Sequence, residues 1–210
     1  MHKLYDNLWQ STRYSSGMLN THAYLLQRKN GNILFYNTGA AEDLLHIESL
    51  GGVAWQLITH RDEVGASQAR IRSLFDNKLA TSEIEAPYAA QHSEVDVAFT
   101  PLDESLEDIQ VIHTPGHTDG SVCYFYNPPH GKSYLFTGDT LAFTHDEFST
   151  FVLNSFGGTN KDMIESLQKL RELTPDVVLC SGFVGETAYR EVTVSEWLDA
   201  IDGCIAKLRA

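Results

Sequence analysis

Long apolar runs, basic residues and cysteines are all scarce in this 210-residue chain, and each scarcity removes a class of function. No window approaches the roughly 18 apolar residues that a membrane span needs, and the opening MHKLYDNLWQ has no apolar stretch behind a basic start. A soluble, unsecreted protein is therefore expected. Lys plus Arg number 15 against 28 Asp plus Glu, a formal net charge of -13 with His neutral. Such a surface repels phosphodiesters and anionic headgroups, so neither nucleic acid nor a membrane is an expected partner. Cys123, Cys180 and Cys204 are an odd number with no close pair, which fits free thiols in a reducing, cytoplasmic setting better than a disulfide framework. The chain also lacks a G-x-S-x-G elbow, a P-loop, a G-x-G-x-x-G turn, low-complexity segments, linkers and repeats. With 42% apolar residues it can bury a sizeable core, and residues 1–210 read as one domain.

The spacing of apolar residues predicts mixed α/β structure. HAYLLQRK and NILFYN flank Asn30-Gly31, which suits a type I′ turn, so residues 22–36 should form a β-hairpin. Leu44, Ile47 and Leu50 recur at helical spacing before Gly51-Gly52, and Val53 to Ile58 reads as a buried strand ending at Thr59, His60, Arg61 and Asp62. A helix is expected from Ala66 to Phe75 with Ile71, Leu74 and Phe75 turned inward, then short strands near Lys78–Thr81 and Val95–Phe99. The segment 82–94 is ambiguous. Ile109–Ile112, Val122–Tyr126 and Ser133–Phe136 are further β-type runs separated by TPGHTDGS and NPPHGK. Thr159 with Asp162, and Thr193 with Glu196, are capping patterns ahead of two amphipathic helices, with the strand VVLC between them and Val192 placed to staple onto Trp197. Strands and a helix recur in each half, which suggests two sheets with helices outside.

Three segments share one design. In LITHRDEVG, VIHTPGHTDGS and LFTGDTL an apolar strand ends and a short glycine-containing loop follows, with His or Asp at its mouth. Residues so placed gather at a sheet edge, where open α/β layers bind ligands. His60, His117 and Asp139 would offer two imidazoles and a carboxylate, a set suited to a borderline divalent metal.

At these residues the chain resembles the metallo-β-lactamase-fold superfamily. TPGHTDGS at 114–121 is similar to that family's third metal motif and FTGDT at 136–140 to its bridging-aspartate motif, while ITHRDEVG at 58–65 stands where its H-x-H-x-D-H motif belongs. The resemblance implies an αββα sandwich of two mixed β-sheets with flanking helices, and a hydrolase using one or two ions. His60 aligns with the first ligand of the first motif, but Asp62 occupies the second His position and Val64 and Gly65 stand where Asp and His belong. The last motif's His should lie in LCSGFVG, where Phe183 is found. The resemblance thus implies at most one metal position, made of His60, Asp62, His117 and Asp139.

Each candidate has a plainer use. His117 and Asp139 can stabilise turns, His60 can bond backbone at a strand end, and Asp62 can form an Asx turn rather than ligate or accept a proton as catalytic base. Glu63 reads as a solvated carboxylate, as do His145-Asp146-Glu147, while His92 and His130 read as loop residues. His113 is expected to orient neighbours or cap a strand. In FGGTN helix-start amides can hold an anion, but a loop closing on a cap is the simpler use. Cys123 and Cys180 should be inert by burial. Three functions are compatible: a hydrolase of an ester, thioester or amide using one zinc or iron ion; an Fe(II) oxygenase resembling persulfide dioxygenases; and a metal-free ligand- or protein-binding member. The substrate of an enzyme would be a small molecule of undefined class, selected by loops near 87–94 and 142–158. Phe143, Phe148, Phe151 and Phe156 would line an apolar entrance or simply pack the loop, and an exposed aromatic loop would suit a homodimer contact.

Overall fold

Short runs of β-branched and aromatic residues become short strands in the computed structural model, which describes residues 1–103 and 105–210. Contacts divide the chain into two units, Met1–Phe99 and Thr100–Ala210. The first unit runs β1 (His2–Tyr5), β2 (Leu8–Gln10), β3 (Tyr14–Ser16), β4 (Leu19–Thr21), β5 (Tyr24–Leu26), β6 (Ile33–Phe35), α1 (Ala41–Ser49), β7 (Trp55–Leu57), α2 (Ser67–Phe75), β8 (Lys78–Ser82), α3 (Ala86–Ala89) and β9 (Val97–Phe99). Its seven-stranded sheet has the order β1-β2-β5-β6-β7-β8-β9. Pairing is antiparallel as far as β6 and parallel from β6 to β9, with α1 and α2 supplying the crossovers that parallel neighbours require. β3 and β4 pair antiparallel outside that sheet.

The expected hairpin is present, with Leu26 opposite Ile33, but its turn differs. Among the two residues proposed for the corner only Gly31 has a positive φ, at 103°, and its N–H donates to the Arg28 carbonyl. A type I′ turn needs positive φ at both positions, so Asn30-Gly31 is not one. The Asn32 side chain explains the longer connection: it donates to the carbonyls of Leu50 and Gly52 and so anchors the chain just beyond the turn. A second difference is in α2, where Gln68 and Ile71 are buried while Leu74 is 53% exposed. The inward face carries Gln68 and Ile71, with Phe75 half-buried along the same stripe, and Leu74 lies beside it rather than on it. The ambiguous segment 82–94 contains α3, begun by Pro87 near its first turn.

The second unit comprises β10 (Ser105–Leu106), β11 (Ile109–His113), β12 (Val122–Tyr126), β13 (Tyr134–Gly138), β14 (Ala142–Thr144), β15 (Glu147–Ser149), α4 (Asn160–Arg171), β16 (Val177–Cys180), β17 (Gly182–Val184), β18 (Tyr189–Glu191) and α5 (Val194–Arg209). A six-stranded mixed sheet has the order β10-β11-β12-β13-β16-β18, with only β13 and β16 parallel. β14 pairs with β15 antiparallel and with β17 in parallel. The apolar stripes of α4 (Met163, Leu167, Leu170) and α5 (Trp197, Ile201, Cys204, Ile205) share one core with Ile112, Cys123, Leu135 and Val178 of the sheet. Thr159 caps α4 by accepting the Asp162 N–H, and Thr193 with Glu196 forms a complete capping box on α5. FGGTN thus ends on a cap.

The seven-stranded and six-stranded sheets are both mixed and carry helices, as the strand and helix pattern required, while β14, β15 and β17 pair outside them. The loop aromatics mostly pack: Phe143 and Phe148 are buried in the core of the second unit and Phe151 lies against it, whereas Phe156 is 36% exposed. All three cysteines are buried free thiols. No helix among the described residues is long and apolar enough to cross a membrane.

Candidate metal centre

His60 is delivered at the carboxyl end of the buried strand β7, where it begins a short 3-10 turn over Arg61–Glu63. That turn folds Glu63 back on the strand end. The carboxylate accepts the Thr59 N–H at 2.8 Å and the Thr59 hydroxyl at 2.5 Å, and it lies 3.3 Å from His60 Nδ1. Thr59 Oγ1 is itself 3.0 Å from Nδ1. Alternate residues of the turn then separate. Asp62 is exposed, whereas Arg61 turns into a buried ion pair with Glu85, donating from Nε at 2.8 Å and from Nη2 at 3.0 Å. Its Nη1 donates to the Tyr88 hydroxyl, and the guanidinium stacks 4.1 Å from that ring. Asn37 holds the far end by donating to the Glu63 carbonyl.

In the second unit the loop after β11 carries His117. Internal bonds shape it: Thr118 and Ser121 bond through backbone and hydroxyl, and Gly116 N–H donates to the Thr118 carbonyl. α4 supports it from outside, as Ser166 donates to the Pro115 carbonyl and Lys169 to the His113 carbonyl. Gly158 passes so close that a Cβ there would overlap the carbonyl oxygens of Gly116 and His117. His117 is 2% exposed, and its Nδ1 donates to the Phe151 carbonyl at 2.8 Å. A carbonyl has no proton to give, so Nδ1 carries a hydrogen, and in the neutral ring the lone pair is then on Nε2. Nε2 lies 3.9 Å from Asp139 Oδ2. Asp139 follows β13, and its other oxygen accepts the Gly182 N–H at 2.8 Å.

Of the expected site residues, His117 and Asp139 are neighbours within one unit, and His60 and Asp62 share one turn of the other. Glu63 departs from expectation. Instead of a solvated carboxylate it is a buried acceptor with 3% side-chain exposure, because the turn supplies it with a backbone N–H, a hydroxyl and an imidazole. The spacing Thr59-to-Glu63 across a single turn was the available signal; the acidic composition masked it. The Phe151 carbonyl, which orients His117, left no trace in the sequence. His145, Asp146, Glu147, His92 and His130 are exposed, as expected. Phe183 is fully buried in the second unit's core, so it is a packing residue. Burial pushes the Cys180 thiol well above its usual range and the Asp139 charge adds to this, which keeps it unreactive.

The fold has close counterparts among solved metallo-β-lactamases. The enzyme from Pontibacter korlensis superposes with a TM-score of 0.71 over 99% of this chain and 97% of its own, at 21% identity. A subclass B3 enzyme of Bradyrhizobium japonicum gives 0.65 over 91% and 89%, at 16% identity. Residues 45–182 match the sequence pattern of the metallo-beta-lactamase superfamily, and the chain belongs to that superfamily. Over 73 residues it is 45% identical to hydroxyacylglutathione hydrolases of Erwinia tasmaniensis and Pectobacterium atrosepticum, a stretch covering 35% of this chain and 25% of each relative. The match therefore spans about a quarter of those proteins' length.

Proposed function

We propose that this chain is a metal-dependent hydrolase in which His60, Asp62, His117 and Asp139 hold a single divalent ion, zinc or iron, and that it cleaves an ester, thioester or amide. The observation that carries the reading is the placement of the His117 imidazole: buried, with Nδ1 donating to a carbonyl and Nε2 3.9 Å from the Asp139 carboxylate. Imidazole and carboxylate donors suit such a cation. Membership of the superfamily supports the same ligand set.

When bound, the ion supplies Lewis acidity, polarising a carbonyl and lowering the pKa of water toward about 7. The protein's own groups do the rest. The Gly182 N–H holds one Asp139 oxygen and leaves the other toward His117. The Phe151 carbonyl fixes the ring of His117. Asp62, exposed at the turn, either completes the ligand set or accepts a proton from the attacking water. The relatives named as hydroxyacylglutathione hydrolases make an acylated thiol the first substrate class to try.

The test is hydrolysis of a panel of acyl thioesters and esters by metal-stripped protein before and after adding one equivalent of zinc or iron. Activity restored by the ion, and absent in His117→Ala and Asp139→Ala, supports the reading. Equal turnover with and without metal overturns it, and oxygen uptake with iron in place of hydrolysis transfers the chain to the oxygenase class.

A further inference from the structure

We infer that Glu63 is a positioning residue: its carboxylate fixes the His60 ring as the Nδ1–H tautomer and so presents Nε2 as the ligand nitrogen. The inference rests on the proposed metal centre for its purpose, but its geometry is local to one turn. The Thr59 hydroxyl has one proton, and the 2.5 Å contact commits it to Glu63 Oε1. Its oxygen can then only accept from His60 Nδ1, 3.0 Å away. The second neighbour of Nδ1, Glu63 Oε1 at 3.3 Å, is also an acceptor. With acceptors on both sides a proton must sit on Nδ1, and in the neutral ring the lone pair is then on Nε2. Glu63 has no cationic side chain to serve within the turn, since Arg61 is committed to Glu85. A carboxylate behind an imidazole N–H orients the ring and makes the opposite nitrogen a stronger donor.

His60 and His117 reach the same tautomer by different means, one through a carboxylate and the other through the Phe151 carbonyl. The second ring is thus an internal control. The experiment compares wild type with Glu63→Gln and Glu63→Ala, recording imidazole nitrogen NMR shifts in metal-free protein above the titration range of histidine, and zinc affinity against a competing chelator. In wild type both rings should show a protonated Nδ1. In Glu63→Ala the His60 ring should become a tautomer mixture while His117 is unchanged, and zinc affinity should fall about 10- to 100-fold, the range found when such partners are removed. Glu63→Gln keeps the side-chain shape but faces the Thr59 N–H with an amide NH2 if its oxygen serves the hydroxyl and ring; it should lie between the two and covers the case where alanine misfolds. A wild-type His60 protonated on Nε2, or variants with unchanged tautomer and affinity, overturns the inference. Wild type that takes up neither zinc nor iron overturns the proposed centre instead, and the ring tautomers then decide the role of Glu63 alone.

Discussion

Replacing Glu85 by Gln should destabilise the first unit far more than a typical side-chain change, because Glu85 is fully buried and holds a guanidinium that is itself 7% exposed. The two bonds at 2.8 and 3.0 Å form a fork that Arg matches and an amide cannot. Removing one partner of a buried pair costs about 3–5 kcal/mol, since the other charge stays desolvated. Tyr88 retains its hydroxyl bond to Nη1 and its ring contact, and a cation over an aromatic face is worth about 0.5–2 kcal/mol. The expected loss is therefore near the lower end, about 3 kcal/mol. Replacing both partners, Arg61→Met with Glu85→Leu, should cost much less than the single change, because no uncompensated charge remains. Urea unfolding of the wild type, both single variants and the double variant closes this cycle. Because Arg61 lies between His60 and Asp62, Glu85→Gln should also weaken zinc binding. A single variant within about 0.5 kcal/mol of wild type, the spread of ordinary surface changes, would refute the reasoning.

Two further changes probe the site's supports and the charge clamp. Gly158→Ala should push apart the loop carbonyls of Gly116 and His117, costing about 1–3 kcal/mol as an overpacking change and loosening metal binding; a thermal melt and a chelator titration unchanged from wild type would contradict the close approach. The hydrogen bond from Arg72, with help from the Leu79 N–H, holds the Asp96 carboxyl below the usual carboxylate range against the opposing effect of burial. A depressed folded-state pKa gives stability that is present above the unfolded value of about 3.9 and lost as pH falls through the folded one. Asp96→Asn should thus melt earlier than wild type at neutral pH, and the gap should close below about pH 4; a gap that widens in acid would show that the pair does not stabilise the fold.

The strands, the two capped helices and the division into two mixed α/β halves were legible because they depend on local pattern: apolar runs of strand length, and Thr with an acidic residue three positions on. The turn at Asn30-Gly31 was misjudged because its shape is set by Asn32 reaching the end of α1, a contact distant in sequence. Leu74 was assigned inward by type, yet the polar Gln68 takes the buried face, where its side-chain oxygen receives the Gly65 N–H. In the site, His60, His117 and Asp139 stood out by their place after apolar strands. Glu63 did not, because a carboxylate looks solvated until its turn brings it a hydroxyl and an imidazole. The support of His117 by Phe151, 34 residues away, follows from the loop's path and has no residue-type signature, since a main-chain carbonyl does the work.

The account turns on whether one cation is shared by His60, Asp62, His117 and Asp139. Elemental analysis of protein purified anaerobically without added metal, then titrated with zinc or iron, measures this directly beside a His117→Ala control. About one ion per chain in the wild type and none in the variant is the predicted result, as a ligand's loss removes the free energy that holds the metal. Two ions per chain, or an uptake that the variant shares, would contradict it.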